Sequence, residues 1–448
     1  MNPPGNEGHV FYRNPTKHYP TAVRGEGIYI FDSEGKRYLD GSGGAVVVSI
    51  GHNVPEIKQA MLDQASAIAF AHGSQFTSKP AEDLAAKLSR LAPPGLERVY
   101  YLSGGSEAIE TAVKMARQYQ VDRGRPAKYK IISRWTSYHG NTLGALALGG
   151  HTGRRQYYQP LIQHTPHIAP AYCYRCPYKL TPEKCGLECA EELEQMILYE
   201  GPDSVSGFLA EPVVGATAGA LVPHPGYFER IREICDRYDV LLMVDEVMTG
   251  LGRTGKSFAM EHWGVSPDMI VCAKGLAGGY SPIFCVITRE EVHQTIKEGT
   301  GHFIHGHTYS QNPLSCSIAL AVLDYIETHD LVRRSAARGE YLLRRLESLY
   351  KHPIVGDVRG LGLFAGVEMV QDRSSRRPFD PALKLAQRMS NRAFQNGLII
   401  YPGSGGADGI HGDHLLIAPP FIISEEEIDE LVSLLDASIA ETTEELGL

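Results

Sequence analysis

At 448 residues the chain exceeds the roughly 250–300 residues at which one hydrophobic core stops growing, so at least two domains are expected, and 43% hydrophobic residues fill them. The formal net charge of −9 comes without a basic tract, which sets aside nucleic acid as a partner. Met1–Tyr19 is polar, with no signal-peptide run, and no stretch nears the ~20 apolar residues of a membrane span; a cytoplasmic enzyme is expected.

Residues 21–40 predict a hairpin, with Glu34-Gly35-Lys36 as turn and Tyr38-Leu39-Asp40 as the returning strand. From residue 51 to about 325, short apolar runs alternate with helical patterns. The runs are Val99–Leu102, Lys130–Ser133, Gly207–Ala210, Leu241–Val244, Met269–Ala273 and Ile283–Ile287. Their continuous polarity is that of parallel strands covered on both faces. Helical stretches such as Ser106–Val121, Glu191–Tyr199 and Tyr227–Arg237 lie between, which predicts an α/β layer with right-handed crossovers. Beyond 330, helices near Leu331–Tyr350, Ala382–Gln395 and Glu425–Thr442 surround strands at 361–369 and 414–418. The expected organisation is a large α/β domain over 51–325 and a small α+β domain over 326–448, joined by the N-terminal segment 1–50. No internal repeat is present.

Ligands of an open α/β sheet sit beyond the carboxyl ends of its strands. Four polar groups fall there. Ser103-Gly104-Gly105-Ser106 follows Val99–Leu102 and precedes a helix, an arrangement suited to a phosphate because small residues admit close approach and the helix start offers free N–H groups. Glu211 follows Gly207–Ala210, and Asp245 follows Leu241–Val244. Asp245 directly after four apolar residues is costly unless something positive or hydrogen-bonding meets it. Lys274 follows Asp245 by 29 residues, about one βαβ unit, with an apolar strand behind it. Desolvation there lowers a lysine pKa and frees an imine-forming amine. Tyr138-His139-Gly140, after Lys130–Ser133, offers an aromatic face to a flat ring. Singly these read as a structural turn, a helix cap or ion pair, a surface lysine and loop packing. Together they point at one pocket.

The ordered set Ser103-Gly-Gly-Ser-Glu-Ala-Ile-Glu-Thr-Ala-Val-Lys-Met-Ala-Arg117, Tyr138-His-Gly140, Glu211-Pro-Val213, Asp245-Glu-Val247, Thr249-Gly-Leu-Gly-Arg-Thr-Gly255, Lys274-Gly275 and Gly306-His-Thr-Tyr309 resembles the class III aminotransferases, pyridoxal 5′-phosphate enzymes of fold type I. The resemblance implies a Schiff-base lysine at Lys274 and, at Asp245, the carboxylate partner of the pyridinium nitrogen. It implies Gly105 and Ser106 in the phosphate cup and Tyr138 and Val247 sandwiching the ring, with His139 among the cofactor-binding residues. Glu211 matches an acid near the phenolic side. Thr308 matches a threonine reaching the phosphate from the other subunit, hence a homodimer with shared sites. Phe76 looks like a pocket aromatic, also given across the interface. Glu110, Arg253 and Arg359 keep structural readings.

The implied reaction moves an amino group from a primary amine or ω-amino acid to a keto acid through pyridoxamine phosphate. Residues 399–420 contain no arginine, and Leu416 stands where ornithine-type members carry one. That favours an ω-transaminase with pyruvate as acceptor. A lyase or aminomutase on the same scaffold, a decarboxylating transaminase and a non-catalytic relative are the alternatives; the last is expected to have lost Lys274 or Asp245.

Four of the eight cysteines, Cys173, Cys176, Cys185 and Cys189, form Cys-x2-Cys-x8-Cys-x3-Cys in an insertion. Three readings stay open: a four-thiolate zinc site, two disulfides, or thiols packed as small hydrophobes. The catalytic motifs need no metal.

Overall fold

The structure is a computed structural model and describes residues 9–448; the first eight residues of the N-terminal segment lie outside the described residues. Strands β1 (Ala22–Glu26), β2 (Tyr29–Asp32) and β3 (Arg37–Asp40) form the antiparallel ladder that the turn chemistry predicts. Asp32 closes its turn by accepting from the N–H groups of Glu34 and Lys36 at 3.0 and 2.9 Å.

The central sheet holds β4 (Leu96–Leu102), β5 (Lys130–Arg134), β6 (His167–Ile168), β7 (Val205–Ala210), β8 (Leu241–Glu246), β9 (Met269–Cys272) and β10 (Phe284–Arg289) in the spatial order β4-β10-β9-β8-β7-β5-β6. The strands from β6 to β9 pair in parallel, and only β10 runs against its neighbours β9 and β4. The sheet is thus mostly parallel, as expected, with β10 the one reversed strand. No α-helix separates β9 from β10, so the chain turns back beside the strand it has just left. Burial on both faces hides that reversal from the sequence, because parallel and antiparallel strands then read alike.

Helices cover the sheet with spaced apolar faces. Tyr227–Tyr238 buries Tyr227, Phe228, Ile231, Ile234 and Cys235, each burial stabilising by about 1.5–3 kcal/mol for the larger side chains. Helix Pro313–Thr328, started by the Asn312 side chain accepting from Ser315 N–H at 3.0 Å, runs across position 325.

A third sheet joins β11 (Val355–Gly360), β12 (Ala365–Met369), β14 (Tyr401–Ser404) and β15 (Asp413–Ile417), while β13 (Leu398–Ile399) pairs in parallel with β3. The strand expected at 361–369 is confined to Ala365–Met369: residues 361–364, where Gly362 has φ +60°, are the turn that joins it to the preceding β11. Helix Glu425–Leu446 starts on a capping box, with Ser424 and Glu427 bonding each other's backbone N–H at 3.2 and 2.8 Å. One core runs from Ile28 and Leu39 through Leu84, Ile270 and Leu323 to Leu415 and Leu435, locking both chain ends onto the central sheet. Among the described residues no helix is long and apolar enough to cross a membrane.

Candidate active site

The carboxyl ends of β4, β5, β7, β8 and β9 bring the sequence-predicted groups to one edge of the sheet. Register sets this directly: Ala210 lies beside Val244, and Asp245 beside Val271, so Glu211, Asp245 and Lys274 leave three adjacent strands at nearly the same level.

Asp245 is buried and held on both oxygens. Its Oδ2 lies 2.8 Å from Nδ1 of fully buried His139, and its Oδ1 accepts from Val247 N–H at 3.1 Å. His139 Nε2 is buried with no hydrogen-bond partner among the described residues. Glu211 holds the loop carrying Tyr138. Its Oε1 accepts from Tyr138 N–H at 3.0 Å and its Oε2 from Gly215 N–H at 3.1 Å. Burial pushes the Glu211 carboxyl up, with His139 and both N–H donors opposing.

Lys274 opens the short turn Lys274–Leu276 with φ +46°, an uncommon conformation for a side chain other than glycine. Burial lowers its pKa to about 8; Asp245 and Glu211 draw it back up, and Arg154 and Arg253 push it further down. About a tenth of the amine is then unprotonated at pH 7, far more than at the ordinary lysine value, and the unprotonated form is the nucleophile.

Gly104, Gly105 and Ser106 start the helix Gly105–Asp122. Ser106 Oγ accepts from Asn141 N–H at 2.9 Å, tying that helix start to the Tyr138 loop. Gly140, at φ +136°, permits the contact: a Cβ there would stand 2.4 Å from Ser106 Oγ. Val247 is half-buried against the core of the central sheet. Phe76, 65% exposed, and Thr308 lie on the surface, outside this hydrogen-bonded cluster.

The structural readings of three charged residues hold. Glu110 accepts from Gly144 N–H at 3.1 Å. Arg253 is buried, donates to the carbonyls of Leu363 and Pro419 at 2.9 and 2.6 Å, and lies over the Phe421 ring. Arg359 and Arg175 pair with Glu368 of β12 at 2.7 and 2.5 Å, and Tyr172 also bonds that carboxylate. Burial raises the Glu368 carboxyl, but the two guanidiniums bring it below its ordinary value. The network pins the start of the cysteine-bearing insertion to the C-terminal sheet.

All eight cysteines are free thiols in the structure. Burial pushes Cys189 up to about 12, with Cys185, Cys173 and Cys176 adding to it. Among the described residues no group of three or more His, Cys, Asp or Glu is arranged to hold a metal.

Sequence reasoning missed two contributors. Glu246, next to Asp245, accepts from Thr249 Oγ1 at 2.6 Å and from the N–H groups of Ala259 and Met260 at 3.0 Å each, anchoring the Thr249–Gly255 loop. Its carboxyl is pushed up to about 7 by burial. The position inside Asp245-Glu-Val247 was the only available signal. Arg154 places its guanidinium carbon 4.5 Å from the Tyr138 ring centroid, and no motif marked it.

The aminotransferase class III family model matches residues 11–439. The chain belongs to the class III aminotransferases. It is 43% identical over 423 residues to the uncharacterized aminotransferase YodT of Bacillus subtilis, covering 94% of this chain and 95% of that one. To the putrescine–pyruvate aminotransferase of Pseudomonas aeruginosa it is 36% identical over 415 residues, 92% of this chain and 88% of that one. The crystal structure of the ω-transaminase of Pseudomonas jessenii in complex with PMP superposes with a TM-score of 0.90 at 34% identity, covering 96% of this chain and 94% of that one. The fold is thus that of the fold type I transaminases, and class III aminotransferases use pyridoxal phosphate.

Proposed function

We propose that this class III aminotransferase is an ω-transaminase that binds pyridoxal phosphate at Lys274 and transfers an amino group from a primary amine or ω-amino acid to a keto acid, pyruvate foremost. The observation that carries this reading is the convergence of an amine of pKa about 8 with the carboxylates of Asp245 and Glu211 at adjacent strand ends. The residues present fit the cofactor. The lysine amine donates no hydrogen bond among the described residues, and Gly140 leaves open the space beside Ser106 at the helix start.

When bound, pyridoxal phosphate supplies an electron sink for the bonds of the amine-bearing carbon. The protein does the rest. Asp245, oriented by His139, holds a proton on the ring nitrogen. Ser106, Gly105 and the start of helix Gly105–Asp122 take the phosphate. Tyr138 and Val247 would hold the ring, and the Glu211 carboxylate, accepting from Tyr138 N–H, fixes the Tyr138 loop. Lys274 Nζ would serve as the general base that takes a proton from the substrate carbon and as the general acid that gives it back to the cofactor.

The absence of an arginine from residues 399–420 supports a donor without the carboxylate arrangement of ornithine-type enzymes. Mixing the holoenzyme with a primary amine, with and without pyruvate, tests the reading. Without pyruvate no more than one equivalent of aldehyde per site should form; with pyruvate, aldehyde and alanine should accumulate in equal amounts over many turnovers. Release of ammonia without alanine would instead show elimination on the same scaffold.

Thr308 and Phe76 enter the reading through assembly. Both are exposed, with Ile304, Phe70 and Tyr309 among the exposed large apolar side chains of the same two segments, as expected of a surface that a second copy covers. In a homodimer with Thr308 of each chain serving the other's phosphate, Thr308→Ala and Lys274→Ala chains complement each other. Their heterodimer then has one intact site and one carrying both defects. On confirmed random subunit exchange half of the dimers are heterodimers, so activity should return toward about a quarter of wild type; no recovery would refute a shared site.

A further inference from the structure

Resting on the shared-site reading above, Thr308 serves the other subunit only if the segment that carries it follows a fixed path. Regular structure does not fix that path. Helix Glu290–Glu298 ends before it, helix Pro313–Thr328 begins after it, and the stretch between contains Gly299, Gly301 and Gly306. Such a glycine-rich connection costs conformational entropy to order, so other contacts must hold it.

Those contacts come from one helix. Gln118 takes two backbone groups at once: its Nε2 donates to the His302 carbonyl at 2.8 Å, and its Oε1 accepts from Ile304 N–H at 2.9 Å. His305 is held on both ring nitrogens, with Lys114 Nζ 2.9 Å from Nδ1 and Thr111 Oγ1 2.8 Å from Nε2. An ammonium can only donate, so Nδ1 accepts. Nε2–H then donates to Thr111, whose hydroxyl donates to the Glu107 carbonyl at 2.7 Å. Burial lowers the imidazole to about 4, helped by Lys114 and His307, which keeps it in that neutral form. Phe303 packs edge-on against Tyr100 of β4 with ring centroids 5.4 Å apart.

Thr111, Lys114 and Gln118 recur at the three- and four-residue spacing of one helix face. Their helix is Gly105–Asp122, whose first turn takes this chain's own phosphate in the reading above. Thr308 lies three residues past His305, on the surface, beside exposed Tyr309. One helix thus carries a phosphate cup at its start and, along its flank, the anchor of the segment offered to the second cup.

We propose that His305 and Gln118 are positioning residues for the cofactor of the other subunit: they set the path of residues 302–308 so that Thr308 meets the phosphate bound there. The anchor acts across the interface. A defect in it weakens the neighbouring site and spares the chain's own.

Titration of pyridoxal phosphate into purified heterodimers tests this, read by the absorbance of the lysine-linked cofactor, because only a site with Lys274 forms the linkage. In a dimer of one wild-type chain and one chain carrying both Lys274→Ala and His305→Leu, the working site belongs to an unaltered chain. Its dissociation constant should nevertheless rise on the order of tenfold. With Lys274→Ala on one chain and His305→Leu on the other, the working site lies on the His305→Leu chain and should bind as in wild type. Gln118→Leu disrupts the same anchor separately and should reproduce both results, so poor folding of one variant does not decide the matter. Adding His305→Leu to Thr308→Ala should weaken binding by less than the product of the two single effects, as for residues that act through one contact. Weakening confined to the chain that carries His305→Leu, or absent from both arrangements, would overturn the assignment. If Thr308→Ala on the Lys274→Ala chain leaves the wild-type chain's site unaffected, the shared-site reading fails and this inference with it. If Thr308→Ala weakens that site and neither His305→Leu nor Gln118→Leu does, the anchor alone fails.

Discussion

Lys274→Ala should lose turnover by at least about 10⁴-fold while keeping its fold. The side chain is the only group at the three strand ends that combines a nucleophilic nitrogen with a pKa near 8, and the same amine is assigned both proton transfers. Alanine removes nucleophile, base and acid together, so the losses do not add as separate defects. The backbone conformation at φ +46° is strained for alanine as for lysine, and no recorded hydrogen bond is lost with the amine. Stability should therefore change little, and circular dichroism or a melting curve beside the rate measurement separates chemistry from folding. A variant with wild-type turnover would remove Lys274 from the mechanism.

Asp245→Asn should lower turnover on the order of 10²–10³-fold yet keep cofactor bound. Asparagine matches the carboxylate in shape but carries no charge and only one acceptor oxygen. It cannot accept from both His139 and Val247 as Asp245 does at 2.8 and 3.1 Å, nor hold a proton on a ring nitrogen by charge. Retention follows because the phosphate, ring faces and lysine contribute to binding independently. Rates within about threefold of wild type would contradict an electronic role for this carboxylate.

Much of this site was legible in the sequence because strand ends are legible. An apolar run followed at once by Asp, Glu or Lys marks a buried strand meeting a cleft, and Glu211, Asp245 and Lys274 each follow one. The level at which they meet was not legible, since register depends on pairing between distant segments. The reversal of β10 was hidden for a related reason: burial on both faces removes the alternation that distinguishes a strand's neighbours. The late start of the strand expected at 361–369 reflects the turn at Gly362, whose φ is +60°. Arg154 escaped notice because its place over Tyr138 is set by the path of the loop between them, which no periodicity records. The roles of Phe76 and Thr308 belong to a second copy of the chain, and a single sequence carries them only through resemblance.

Borohydride reduction of the wild-type holoenzyme, followed by proteolysis and mass mapping, tests the central claim most directly. Reduction fixes the cofactor to whichever amine holds it, independent of turnover or substrate choice. The account predicts one phosphopyridoxyl group per chain, on the peptide containing Ala273-Lys274-Gly275. A label on any other lysine, or a holoenzyme with no reducible linkage, would contradict it.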